Sequence, residues 1–361
     1  MTLRRDIVTF SVLVVCCQSG CHHYGPRSIT ADRIPYNQAV AQSWQEQTLL
    51  NIVKLRYMDT PFFVDVPQIA SGYTIQGTAT AGGGIYPPVS PLASFAQQLG
   101  ATLNVQGGYQ DRPTISYVPQ TSSQFILNLT QPINPGSVLF LLQSGYPADV
   151  VFGLTVESIN GVRNQSVSGG QLRPADPAFG QIVQSMRKAQ ISGHVGIRVD
   201  REKDKNGVAM FFHDENIDPA LAAELAEVRK VLRLDPDRND FRVAFGATAA
   251  NPEEIAILSR SVLRILSELS TFVHVPCEHL VNGSAPDVGQ TWDDAEPPFQ
   301  VFSGCEKPED PFVAVCYEGH WFWIEKSDFR SKRTLAYLLV LLALADTGPK
   351  EGLPVITIQA N

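Results

Sequence analysis

Four of the Asx-Pro pairs in this 361-residue chain precede helix-like sequence: Asn134-Pro135, Asp176-Pro177, Asp218-Pro219 and Asn251-Pro252. Each sets a side-chain acceptor before a residue whose fixed φ suits a first helical turn and whose missing N–H costs nothing there. Helices are expected to open at these points, so no continuous sheet can run through them. Glu254, three residues after Asn251, adds a capping-box-like spacing. Ile255, Leu258, Val262, Ile265, Leu266 and Leu269 follow on one stripe, which predicts a single amphipathic helix. Leu221, Leu225, Val228 and Leu232 predict another after Asp218. Gly145 and Gly161 are expected to close helices ending near Ser144 and Asn160.

Between these points lie short β-rich runs: Val195–Val199, Val208–Phe212, Arg242–Phe245, Phe312–Tyr317, His320–Ile324 and Val355–Gln359. The charged turn after Asp200 and the Glu318-Gly319 pair each predict a hairpin. Before residue 134 the chain reads as a helix over Tyr36–Tyr57, then alternating strands from Phe62 to Val118. The segment GTATAGGGIYPP breaks that alternation and is expected to be a surface loop. It lacks the spacing of a phosphate cradle. Strands mixed with helices and joined by hairpins predict an α+β fold, with mostly antiparallel sheet. The expected parts are a helix-and-hairpin part over 36–165 and an α+β part over 176–361. Leu335–Ala345 is apolar but too short to cross a bilayer, and Arg333 and Asp346 flank it. It is expected to be a buried helix packed on the aromatic strand His320–Ile324.

The amino-terminal sequence MTLRRDIVTFSVLVVCCQSGC has a short basic start, an apolar run over Ile7–Cys17 and small residues before Cys21. This is the layout of a secretory signal. Ser19-Gly20-Cys21 resembles the lipobox of bacterial lipoproteins, in which a cysteine is lipidated and becomes the new amino terminus. The resemblance covers residues 1–21 and implies a signal peptide over 1–20, lipidation of Cys21 and a lipidated tether over 21–35. Cys17 is the rival acceptor, but Cys16 stands before it where a small residue is preferred. His22, not Asp, follows Cys21. In such lipoproteins that implies the outer membrane, facing the periplasm, with envelope proteins as partners.

Net charge is −8, and no Lys/Arg cluster forms a patch, which argues against a nucleic-acid partner. Of six cysteines, Cys277, Cys305 and Cys316 would remain after maturation. Cys277 and Cys305 lie in loop-like sequence and are the candidate disulfide, while Cys316 sits in an apolar run and is expected to be buried.

His274, Cys277 and His279 offer three zinc-type ligands within six residues, at a spacing that matches no standard motif. They are weak metal candidates that would need Cys305 or His320 to complete a site. His213-Asp214-Glu215 is a weaker acid–base candidate. The serine-hydrolase and zincin motifs are missing, so no catalytic residue and no cofactor is assigned. The expected role is that of a lipid-anchored envelope protein, structural or binding. Two alternatives stand: an oligomeric outer-membrane export component built on the Gly-rich hairpins, and a periplasmic metal-dependent enzyme using His274–His279.

Overall fold

A computed structural model describes residues 26–70, 73–85, 99–111, 114–168, 171–202, 205–213, 215–288 and 297–345. Helices and mostly antiparallel sheets are mixed along the described chain, an α+β fold. Residues 63–120 form one unit, and residues 1–62 with 121–361 form the other. The division therefore does not follow the expected boundary between 165 and 176.

In the smaller unit, β1 (Val64–Ala70) pairs antiparallel with β4 (Thr114–Pro119), and β2 (Tyr73–Ile85) with β3 (Leu99–Asp111). Ala70 faces Thr114 and Tyr73 faces Asp111, three residues on along each strand, so both pairs share one register. The Gly-rich segment expected as a loop is strand as far as Ile85. Gly77 faces Gly107 and Gly84 faces Gly100 within an unbroken thirteen-residue ladder. Backbone pairing overrides the low strand propensity of glycine here.

The larger unit begins with α1 (Pro26–Arg56), which starts ahead of Tyr36, so residues 26–35 of the expected tether are helical. Then come α2 (Ser123–Thr130), α3 (Pro135–Gln143) and α4 (Ala148–Thr155). A six-stranded sheet follows from β5 (Val156–Ile159), β6 (Val162–Arg163), β9 (Val195–Glu202), β10 (Lys205–Phe212), β11 (Asp240–Phe245) and β12 (Glu254–Ser259). Its order is β6-β5-β12-β11-β10-β9, with β11 and β12 parallel and the other neighbours antiparallel. Two short strands, β7 (Ser166–Ser168) and β8 (Gln171–Arg173), pair separately. α3 packs on β9, β11 and β12, and α4 and α5 (Pro177–Ile191) pack on strands of the same sheet. α6 (Pro219–Val231) packs on α5.

The remaining elements are α7 (Val262–Ser270), the short α8 (Cys277–Val281), α9 (Phe329–Ala345) and the sheet β13-β15-β14. Those strands are Phe302–Gly304, His320–Glu325 and Pro311–Tyr317. α1 packs on β14 and α7, burying Leu49, Ile52 and Val53 completely. α9 packs chiefly on α1, α2 and α7, and Leu335, Tyr337 and Leu338 are fully buried. Among the described residues, no helix is long and apolar enough to cross a membrane.

Three Asx-Pro pairs open helices as expected. Asn134 and Asp218 accept backbone N–H groups of their first turns, whereas Asp176 instead accepts from Arg163 N at 2.8 Å. The fourth does not. Asn251 Oδ1 accepts from Glu253 N in a turn, and the next residues are β12, buried along nearly its whole length. The helix begins only at α7, capped by Ser261 through Arg264 N. A strand buried on both faces carries an unbroken apolar run, which periodicity does not separate from a buried helix. Asn160-Gly161 likewise closes no helix. With φ of 45° and 83°, the two residues make the turn between β5 and β6. Val355–Gln359 lies outside the described residues.

Candidate functional site

Four segments of the larger unit that are far apart in sequence meet just beyond the carboxyl end of α1. Tyr57 follows the last residue of α1, Glu278 and His279 lie on α8, Cys305 follows β13, and His320 opens β15. β14 and β15 are joined by Glu318-Gly319, both at positive φ, so a tight turn fixes where His320 enters the cluster. Apolar residues alternate along β15: Phe322 and Ile324 are fully buried on the same face as His320.

His279 and His320 are each 8% exposed, and their rings meet edge to face with centroids 4.7 Å apart. The Tyr57 hydroxyl lies 2.7 Å from His279 Nδ1. Burial pushes the Tyr57 phenol up to about 12, with the nearby Arg56 charge opposing the rise, so it stays protonated at neutral pH. His320 Nε2 lies 2.9 Å from Glu278 Oε1 and 3.5 Å from Cys305 Sγ. His320 Nδ1 lies 3.4 Å from the Glu318 carbonyl.

This arrangement excludes a thiol-hydrolase triad. Such a triad needs the nucleophile on one imidazole nitrogen and the orienting carboxylate on the other. Here both Cys305 and Glu278 face Nε2. A carboxylate oxygen and an imidazole nitrogen 2.9 Å apart are held together by a proton or a metal ion between them.

Of the three metal candidates His274, Cys277 and His279, only His279 joins the cluster, and Cys305 and His320, expected to complete such a site, both lie in it. His274 stacks on Phe302 with centroids 5.6 Å apart, accepts from Gln300 Nε2 at 3.0 Å, and is held below the usual imidazole value by burial. Cys277, Cys305 and Cys316 are all free and exposed, so the expected Cys277–Cys305 bridge is absent. Cys305 Sγ is at His320 instead. Cys316 is not buried because Val313 and Val315 occupy the inward positions of β14. His213 and Glu215 are exposed at the end of β10. Cys21 lies outside the described residues. Glu278 was not singled out from the sequence, since an exposed acid beside a histidine carries no pattern of its own. His320 carries two sequence readings, a place in an aromatic strand and a ligand completing a metal site, and the structure puts it at the start of that strand and in the cluster.

A second buried charge cluster is structural. Arg260 donates to the carbonyls of Gly153 and Leu154 at 3.1 and 3.2 Å, capping the end of α4, and reaches Glu157 at 3.3 Å and the Gln165 carbonyl. Glu268 accepts from Val167 N at 2.8 Å and pairs with Arg264 at 3.1 Å. Burial lowers the Arg260 value and raises that of Glu268, with their mutual attraction opposing both shifts.

Comparison of the chain with protein-family models, curated proteins and solved structures found no match.

Proposed function

We propose that the protein is a lipid-anchored component of the cell envelope, held by Cys21 in the outer membrane and facing the periplasm, with a structural or binding role. The carrying observation is Ser19-Gly20-Cys21 behind an apolar run with a basic start. One acyl chain at about 0.8 kcal/mol per buried methylene holds a protein only marginally, and two or more hold it firmly. The diacylglyceryl group that the lipobox resemblance implies supplies two. The partners on this reading are the membrane and other envelope proteins. Replacing Cys21 by Ala is expected to move the protein from washed membranes into the soluble periplasmic fraction. Retention in the membrane pellet would overturn the assignment.

An oligomeric export component is the second reading, and the register of the β1–β4 ribbon favours it. Ile75 faces Tyr109, Ala79 faces Val105, Ala81 faces Leu103 and Ile85 faces Leu99. The pairs between them include Thr74 with Gln110, Thr78 with Gln106 and Thr80 with Asn104. Apolar and polar pairs thus alternate, as a barrel hairpin requires. Thirteen residues at about 3.4 Å each, tilted by about 45°, rise about 31 Å, close to a hydrocarbon core of about 30 Å. Copies pairing edge to edge would also cover the open strand edges. Negative-stain images of detergent-extracted protein are expected to show rings on this reading, and a uniform monomer population would exclude it.

A further inference from the structure

Glu278, His279 and His320 each present a ligand atom, and all three lie within 4.8 Å of one another. We propose that these residues bind a divalent cation of the zinc class, that the exposed Cys305 thiolate, which lies against His320 but outside that trio, moves in as fourth ligand, and that the ion is structural.

Four observations carry this. The first is donor chemistry. Two imidazoles, a carboxylate and a thiolate suit zinc and its neighbours, whereas calcium and magnesium require oxygen shells. The carboxylate and thiolate together balance the double charge of the ion. The second is spacing. Zinc bonds of about 2.3 Å to sulfur and about 2.05 Å to nitrogen, opened to a tetrahedral angle, place those two atoms about 3.6 Å apart. Cys305 Sγ and His320 Nε2 are 3.5 Å apart. Glu278 Oε1 stands 2.9 Å from the same nitrogen and needs to retreat by only a few tenths of an ångström. Its side chain is 66% exposed and free to do so.

The third is the outer shell. A metal-bound histidine holds its other nitrogen in a hydrogen bond, which fixes ring orientation. Both histidines have that partner already: Tyr57 Oη at His279 Nδ1 and the Glu318 carbonyl at His320 Nδ1. With Nδ1–H of each ring donating to these oxygens, Nε2 of each is left for the ion. The fourth is access. The two histidines are buried, while Glu278 and Cys305 are exposed and give an entry path. Four protein ligands close the shell and leave no position for substrate, which separates this site from a catalytic zinc. The ion would clasp α8, the segment after β13 and β15 at the end of α1.

The full-length protein, stripped with a chelator and dialysed, is titrated with zinc against a chromophoric competitor, and separately loaded with cobalt for absorption spectroscopy. One ion per chain is expected, with a tetrahedral cobalt spectrum carrying a thiolate charge-transfer band. Cys305→Ser is expected to abolish that band. Glu278→Gln, a change at an exposed side chain that leaves folding intact, is expected to weaken binding beyond the roughly 10–100-fold typical of losing an outer-shell partner. Tyr57→Phe should fall within that range. His213→Gln, at an exposed histidine outside the cluster, should change nothing. Lack of stoichiometric binding, or binding unaltered by Glu278→Gln and Cys305→Ser, would overturn the site. A cobalt spectrum without the thiolate band would overturn the role of Cys305.

Discussion

Asn160 shows how much one side chain decides. Its φ of 45° lies in the left-handed region, which asparagine tolerates better than most residues. Its amide donates to Leu232 O at 2.8 Å and Glu254 O at 3.2 Å and accepts from Ala256 N at 2.6 Å. One turn residue therefore joins the end of α6 and the strand β12 to the β5–β6 hairpin. Asn160→Ala loses these bonds and the tolerance of positive φ together. A cost of about 1–3 kcal/mol is expected in denaturant unfolding. Glu268 gives a pH signature. Burial is the main cause of its raised value, so the folded state holds the proton more tightly than the unfolded chain. Its stabilising contribution is complete below the ordinary carboxylate range, near about 4, and is lost as pH rises through its raised folded value. The difference in unfolding free energy between the native protein and Glu268→Gln is therefore expected to shrink as pH rises from about 4 toward neutrality. A difference that widens with pH would contradict this.

At the scale of elements, α9 is an internal helix. Leu341 is 2% exposed, and the helix lies among α1, α2 and α7. Leu341→Ala is expected to cost about 2–5 kcal/mol through lost burial and a cavity, measured by chemical denaturation. A cost near zero would mean that α9 is not part of the core. The elements legible in the sequence were those with local signals. The starts of α3, α5 and α6 followed their Asx-Pro pairs, and the hairpins β9–β10 and β14–β15 followed their turns. The elements that escaped depend on distant partners. β12 is a strand because β11 and β5 flank it, and Gly77–Ile85 is a strand because β3 pairs with it throughout. The Glu278–His279–His320 cluster escaped for the same reason. Its members lie on separate elements, and only one of the three sequence candidates, His279, faces the others.

The whole molecule is two units, and the smaller one is an insertion whose ends meet: Gln120 N donates to Phe63 O at 2.9 Å. Just ahead of it, Asn51 grips both the N–H and the carbonyl of Phe62 at 2.9 Å. Joining Phe62 directly to Thr121 is therefore expected to leave the larger unit folded, with a cooperative thermal transition by circular dichroism. An insoluble or non-cooperative product would show that the ribbon supports the rest. The proposed anchor would set where all of this operates, and it rests on a single atom, the sulfur of Cys21. The most direct measurement is the mass of the amino-terminal peptide from protein purified out of native membranes. The account expects a peptide beginning at Cys21 and carrying a diacylglyceryl thioether. A mature terminus elsewhere, or an unmodified Cys21 thiol, would contradict it.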